Sequence, residues 1–140
     1  LIAMVMKCPA WFRHGCFAVS AIVLLGANPG WAMTQQAPAR PTPNENAYAA
    51  AMKCFVANGR ATGMRQRAGD AAGAARYEAS GRSSFDAAMQ LGRRLGYPNH
   101  RMNQDFDLVQ LRELPLMVSD AAYFREAVTM CRSLGLMPAS

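Results

Sequence analysis

The sequence predicts an all-α protein: a single small domain of about four helices, a bundle or an orthogonal array, preceded by a signal peptide and a Pro-rich leader. Three observations carry this reading. From residue 45 onward apolar residues recur at spacings of three and four, the mark of helices buried on one face. The strict alternation of a half-buried strand is missing and β-branched residues are scarce, so no strand competes. Gly and Pro fall between the periodic stretches, where helices start and stop.

Residues 1–32 read as a secretory signal. Lys7, Arg13 and His14 precede an apolar run from Cys16 to Ala27, and the small residues Gly30 and Ala32 follow. A basic start, a short apolar stretch and a small-residue exit define such a signal. A spanning helix needs about 20 apolar residues; this run has about 12 and is broken by Asn28-Pro29-Gly30. Cleavage after Ala32 is therefore expected, with delivery to the periplasm or the exterior and no stable membrane anchor afterwards. Cys16 stands ahead of the apolar run, which makes it a poor lipid acceptor. No twin-arginine pair precedes the run, so general secretion is expected.

Residues 33–44 hold Pro38, Pro41 and Pro43 and no apolar periodicity, so they are expected to form a disordered or extended leader to a helical domain over 45–138. Asn44, or else Asn46, is the expected first cap. Ala47, Tyr48, Ala51, Met52, Phe55 and Val56 then make one helical face, flanked by Cys54. Gly59 or Gly63 is a candidate end, although Met64 and Ala68 keep the spacing.

Asp70, behind Gly69, is expected to cap the second helix. Its small-residue face runs through Ala71, Ala72, Ala75, Ala79, Phe85, Ala88, Met89, Gly92 and Leu95. Gly81, with Ser83 and Asp86 behind it, is a candidate break; Gly96 and Pro98 end the helix. A loop over 98–102 is expected, with Asn103 capping a third helix that carries Phe106, Val109, Leu111 and Leu114 until Pro115 ends or kinks it. Ser119 is the expected cap of the last helix, whose stripe is Phe124, Ala127, Val128, Cys131 and Leu134. Gly135 supplies a left-handed exit, Leu136 its apolar contact, and Pro138 prevents continuation.

The chain has 15 basic and 9 acidic residues. Loss of Lys7 and Arg13 with the signal leaves a net charge of about +4, concentrated between Arg60 and Arg94. Basic residues interleave with acids and never run beyond two, which fits a solvated surface. Secretion further argues against a nucleic-acid partner.

Cys8 and Cys16 leave with the signal, so Cys54 and Cys131 remain. An even pair in an exported chain points to a disulfide between the first and last helices. Closing a loop of about 78 residues stabilises a fold by roughly 4–5 kcal/mol in the chain-entropy model. The alternatives are two buried free thiols or a reactive pair, although no C-x-x-C motif is present.

Nothing in the sequence assembles catalysis. His100 is the one histidine after the signal, no G-x-S-x-G surrounds a serine, and no cofactor motif occurs. Asn103 to Asp107 begins like a calcium loop, but Leu108 and Leu114 occupy the positions that need Gly and Glu. The best surface candidate for an anion or a partner is the cluster Arg93, Arg94, Tyr97, His100 and Arg101, four nitrogen-rich side chains and an aromatic around one turn. The expected function is a non-catalytic binding module, not an enzyme, for an envelope protein or an anionic envelope component. The alternative is a soft-metal or small-ligand carrier built on methionine and His100. Mass spectrometry of the protein from its native compartment is expected to show an N-terminus at Met33 and no alkylatable thiol; a chain that keeps residues 1–32 would refute the export reading.

Overall fold

A computed structural model describes residues 39–139, and within them four helices and no strand. These are α1 (Pro43–Arg67), α2 (Ala71–Arg94), α3 (Asn99–Ser119) and α4 (Ala121–Ser133). The expected signal peptide (residues 1–32) and residues 33–38 of the expected leader lie outside the described residues, and the last two residues of that leader, Pro43 and Asn44, belong to α1. α1 is the hub of the bundle: it packs on α2, α3 and α4, and α3 also packs on α4.

α1 begins earlier than the asparagines suggest. Thr42, not Asn44, is the cap: its hydroxyl accepts from the Glu45 amide at 3.3 Å, and the Glu45 carboxylate accepts from the Thr42 amide at 2.7 Å. This reciprocal box satisfies two amides that a helix start leaves free, and Pro43 fits the first position because its missing N–H is not needed there. The helix also runs straight through Gly59 and Gly63. The cost of each, about 1 kcal/mol against Ala, is offset by the buried residues on either side, including Ala57, Asn58 and Ala61.

α2 starts at Asp70 as expected, with Oδ1 accepting from the Gly73 amide at 2.8 Å. It continues unbroken past Gly81, contrary to the expected interruption. A Cβ on Gly81 would stand 3.4 Å from the Cβ of Asn58, so this glycine is where α1 and α2 approach closely. The inner face is also rotated from the expected one. Ala71, Ala72, Ala75 and Ala79 are exposed, and Ala74, Gly81, Ser84, Ala88 and Gly92 are buried.

α3 takes in the expected loop and needs no Asn103 cap; Pro98 precedes its first turn without a side-chain cap. The reason is Met102, which is fully buried, with its sulfur filling the space that a Cβ on Gly92 would need. Pro115 sits inside α3 rather than ending it. It removes one amide near the helix end, while Met117 two residues on is fully buried. Ser119 belongs to α3, its hydroxyl donating to the Pro115 carbonyl at 2.9 Å. Asp120 caps α4 instead, accepting from the Ala122 and Tyr123 amides.

Three helices close in the same way. Gly69, Gly96 and Gly135 have φ of +74°, +74° and +69°, and the residue after each donates its amide back to Arg65, Gly92 and Cys131 respectively, each at 2.9 Å. This is the left-handed exit in which glycine avoids the Cβ penalty. At the last of them Leu136 does more. Its carbonyl accepts from Asn58 Nδ2 at 2.8 Å and lies 3.1 Å from Ser84 Oγ, tying the tail to α1 and α2.

Cys54 and Cys131 form a disulfide between α1 and α4, fully buried, with Cα atoms 5.5 Å apart and a sequence separation of 77. Replacing both with Ser is expected to lower unfolding free energy by about 4 kcal/mol, the loop-closure figure for this length, measured by urea denaturation. A loss below about 1 kcal/mol would mean that the unfolded chain gains little freedom when the bond is absent.

Candidate functional site

The cluster singled out in the sequence is partly consumed by the fold. Tyr97 packs edge-on against Tyr48, ring centroids 5.4 Å apart, and its hydroxyl donates to Glu45 at 3.3 Å. The Arg101 guanidinium lies 3.5 Å from the Tyr97 ring centroid and 3.7 Å from Asp105. Tyr48 in turn donates to Asp105 at 3.1 Å; burial, and then this bond, raise its hydroxyl well above the ordinary tyrosine range. Tyr97 and Arg101 therefore latch α1 to the α2–α3 turn. Arg93, Arg94 and His100 are exposed at that turn. His100 and Met102 are not brought together: the imidazole is outside and the thioether is in the core. Among the described residues no group of three or more His, Cys, Asp or Glu is placed to hold a metal.

A buried ionic cluster went unnoticed in the sequence. Glu113 on α3 is 4% exposed, and its carboxylate accepts from Tyr123 of α4 at 2.5 Å, from Arg112 Nε at 3.0 Å and from Lys53 of α1 at 3.3 Å. Lys53 also donates to the Tyr123 hydroxyl at 2.7 Å. Burial opposes the charge on Glu113, but the Tyr123 and Arg112 hydrogen bonds and the Lys53 charge outweigh it and hold the carboxyl below its usual range. Burial also opposes the Lys53 ammonium, and Tyr123 and Glu113 overcome it, raising that group. The three groups satisfy one another, and none lines either groove described next. A Glu on an otherwise apolar helix face, ten residues before a Tyr, gave no distinctive spacing by which to find it.

Two grooves flank the C-terminal half of α1. The first lies between α1, Tyr77 of α2, and α4, with a volume of about 520 Å³. It is lined by Ala61, Ala68 and Val128, by the rings of Tyr77 and Phe124, and by Arg65, Arg125 and Arg132. Arg65 is held 3.3 Å from Asp70 and 5.9 Å from the Tyr77 centroid. Arg132 Nε donates to the Pro138 carbonyl at 3.0 Å, and Arg125 has no carboxylate partner among the described residues. Three cations over an apolar, aromatic floor suit a ligand with a negative charge and a flat or greasy part. The signal for this site was present in the sequence as Arg65, Arg125 and Arg132, but only the packing of α4 on α1 joins residues so far apart.

The second groove, between α1 and α3, measures about 460 Å³ and includes Arg60, Arg67 and Leu114. Arg60 stacks on Phe124 at 4.0 Å, so its side chain separates the two grooves. Neither a known protein family, nor a curated protein, nor a solved structure matches this chain. No helix among the described residues is long and apolar enough to cross a membrane.

The ionic cluster sets a pH dependence whose sign follows from the two shifts. A carboxyl held low stabilises the fold above its unfolded value of about 4.3, and the benefit is lost as pH falls through the folded value. An ammonium held high stabilises below about 10.4, and the benefit is lost as pH rises through the folded value. Glu113→Gln is expected to cost about 3 kcal/mol at neutral pH, the low end for a broken buried pair because Lys53 keeps some solvent. It should also flatten the acid limb of the thermal-unfolding profile; an unchanged limb would show that Glu113 does not set it.

Proposed function

We propose that this protein is exported to the periplasm, is held together there by its disulfide, and acts as a non-catalytic binding module. Its ligand carries a negative charge beside an apolar or aromatic part, as presented by an envelope protein or an anionic envelope component. The observation that carries the reading is the α1–α4 groove, where Arg65, Arg125 and Arg132 share an apolar lining with the half-buried rings of Tyr77 and Phe124.

Three physical arguments support it. Arginine forks bind carboxylate and phosphate in two-point fashion, so an arginine-rimmed groove selects anions with defined geometry. The apolar floor adds affinity that bare charge on an open surface lacks, because exposed pairs are screened by salt. A buried disulfide between Cys54 and Cys131 suits an oxidising compartment. The non-catalytic part of the reading is favoured by the most enclosed titratable cluster, Lys53–Glu113–Tyr123, whose hydrogen bonds are spent on its own members.

A photo-crosslinking side chain at Thr129, on the groove wall, is expected to give a defined adduct in the native envelope. Arg125→Ala with Arg132→Ala should cut its yield at least about fivefold, the loss of one to two charge-assisted contacts. Arg93→Ala with Arg94→Ala should leave it unchanged. The reverse pattern would move the binding face to the α2–α3 turn; insensitivity to both pairs would refute an arginine-rimmed site.

A further inference from the structure

We propose that the α1–α3 groove is a second, separate site, which binds a single-chain amphiphile with an anionic head of the fatty-carboxylate class, the head between Arg60 and Arg67 and the alkyl chain on the apolar walls toward Leu114 and Val118. Gly59 and Gly63 sit within α1 and line the groove. A Cβ on Gly59 would meet nothing within 4 Å, and one on Gly63 would meet only Arg67 Nη1 at 3.5 Å. Gly81 and Gly92 of α2 let a neighbouring group approach; Gly59 does not. Alanine at Gly59 would fit and would favour the helix by about 1 kcal/mol, so what glycine leaves at this place is open space.

The charges point the same way. Arg60 and Arg67 both line this space, and neither has a carboxylate partner among the described residues. Arg60 Nη1 is buried and makes no hydrogen bond. A buried donor left unsatisfied costs about 1–3 kcal/mol. Burial, and then the charge of Arg67, push the Arg60 guanidinium below its ordinary value, so these two cations, about two turns apart on α1, repel along one side of the groove. An anion seated between them relieves that repulsion.

The rest of the wall is greasy. Phe55, Leu114 and Val118 line the groove, and Val118 is 63% exposed. A neighbouring hollow shares Gln110 and Leu114 with it and continues to Leu111, which is 72% exposed. From Arg60 back to Phe55 the α1 wall adds about 7.5 Å at 1.5 Å per residue, and the hollow at Leu111 extends the apolar lining along α3. A charged end, an apolar track and a volume in the small-ligand range describe a head and a tail. A bare anion would use only the arginines, and a neutral hydrocarbon only the track.

Decanoate titrated into the purified protein, followed by NMR at the Gly59 and Gly63 amides, tests this. Decanoate is expected to shift both saturably, with 1-decanol and acetate each binding at least tenfold more weakly. Arg67→Gln should weaken decanoate about tenfold. Gly59→Leu, which fills the open space, should abolish binding without lowering the melting temperature; should it misfold, Arg67→Gln and the decanol comparison still decide the matter. The proposal is overturned if decanol binds as well as decanoate, if the two glycine amides do not move, or if the shifts fall at Val128 and Thr129 instead. Such a failure leaves the α1–α4 groove reading intact, because that site is tested through Arg125 and Arg132.

Discussion

The bond between Cys54 and Cys131 is the constraint around which the rest of this bundle is arranged. It fixes one turn of α1 against the last turn of α4, and the polar contacts nearby repeat the same connection. One turn on from Cys54, Asn58 donates to the Cys54 carbonyl at 2.9 Å and to the Leu136 carbonyl at 2.8 Å. Leu136 is the residue whose amide closes α4 on the Cys131 carbonyl. Ser84 of α2 meets the same Leu136 carbonyl, so three helices and the tail converge on a few atoms. The arrangement has a cost. Asn58 Oδ1 is buried without a partner, because three acceptors surround the amide nitrogen and fix the side chain the other way round. An orphaned carbonyl oxygen of this kind costs about 1–3 kcal/mol, which the covalent link outweighs.

With α1 fixed at the centre, the size of the facing side chains decides where the surface closes and where it opens. Toward α2 the contacts are Gly81, Ser84, Ala88 and Gly92, small enough for the two backbones to run close together. Toward α4 the face of α1 meets Phe124, half-buried beneath Arg60, and toward α3 it presents glycine to Leu114 and Val118. A large ring on one side and missing side chains on the other both leave furrows. The arginines along the second half of α1 line those furrows, joined at the first by Arg125 and Arg132 of α4.

The fold was legible because its signals are local. Asp70 behind Gly69, Gly96 before Pro98 and Gly135 before Pro138 each state a helix boundary within two or three residues, and the structure uses all three glycines as left-handed exits. The errors came where tertiary packing overrides a local cue. Gly81 reads as a break until Asn58 is placed against it, and 98–102 reads as a loop until Met102 is placed against Gly92. The Cys54–Cys131 pairing was legible because the two cysteines downstream of the expected signal can pair in only one way. The candidate site was not, for a different reason. Tyr97 and Arg101 look available when only their neighbours in sequence are known, and they prove to be engaged by Tyr48, Glu45 and Asp105. Arg65 and Arg125, sixty residues apart, have no sequence signal in common.

The fold accounts for most of the arginines on these helices, but not for all of them. Arg82 pairs with Glu78, Arg101 with Asp105, and Arg112 with Glu113. Arg93 and Arg94 stand in the last turn of α2, where the carbonyl end of a helix favours cations without any ligand. Arg132 has the same advantage in α4, and Arg65 and Arg67 in α1. Arg60 has none of these. It sits mid-helix, seven residues before the end of α1, with an aromatic face on one side and a like charge nearby. The face of a ring recovers about 0.5–2 kcal/mol for a cation, less than a bidentate carboxylate offers when water is excluded. A partly buried guanidinium that lacks an acid, a helix end and a satisfied Nη1 is therefore the group in this bundle with most to gain from an anion brought in from outside.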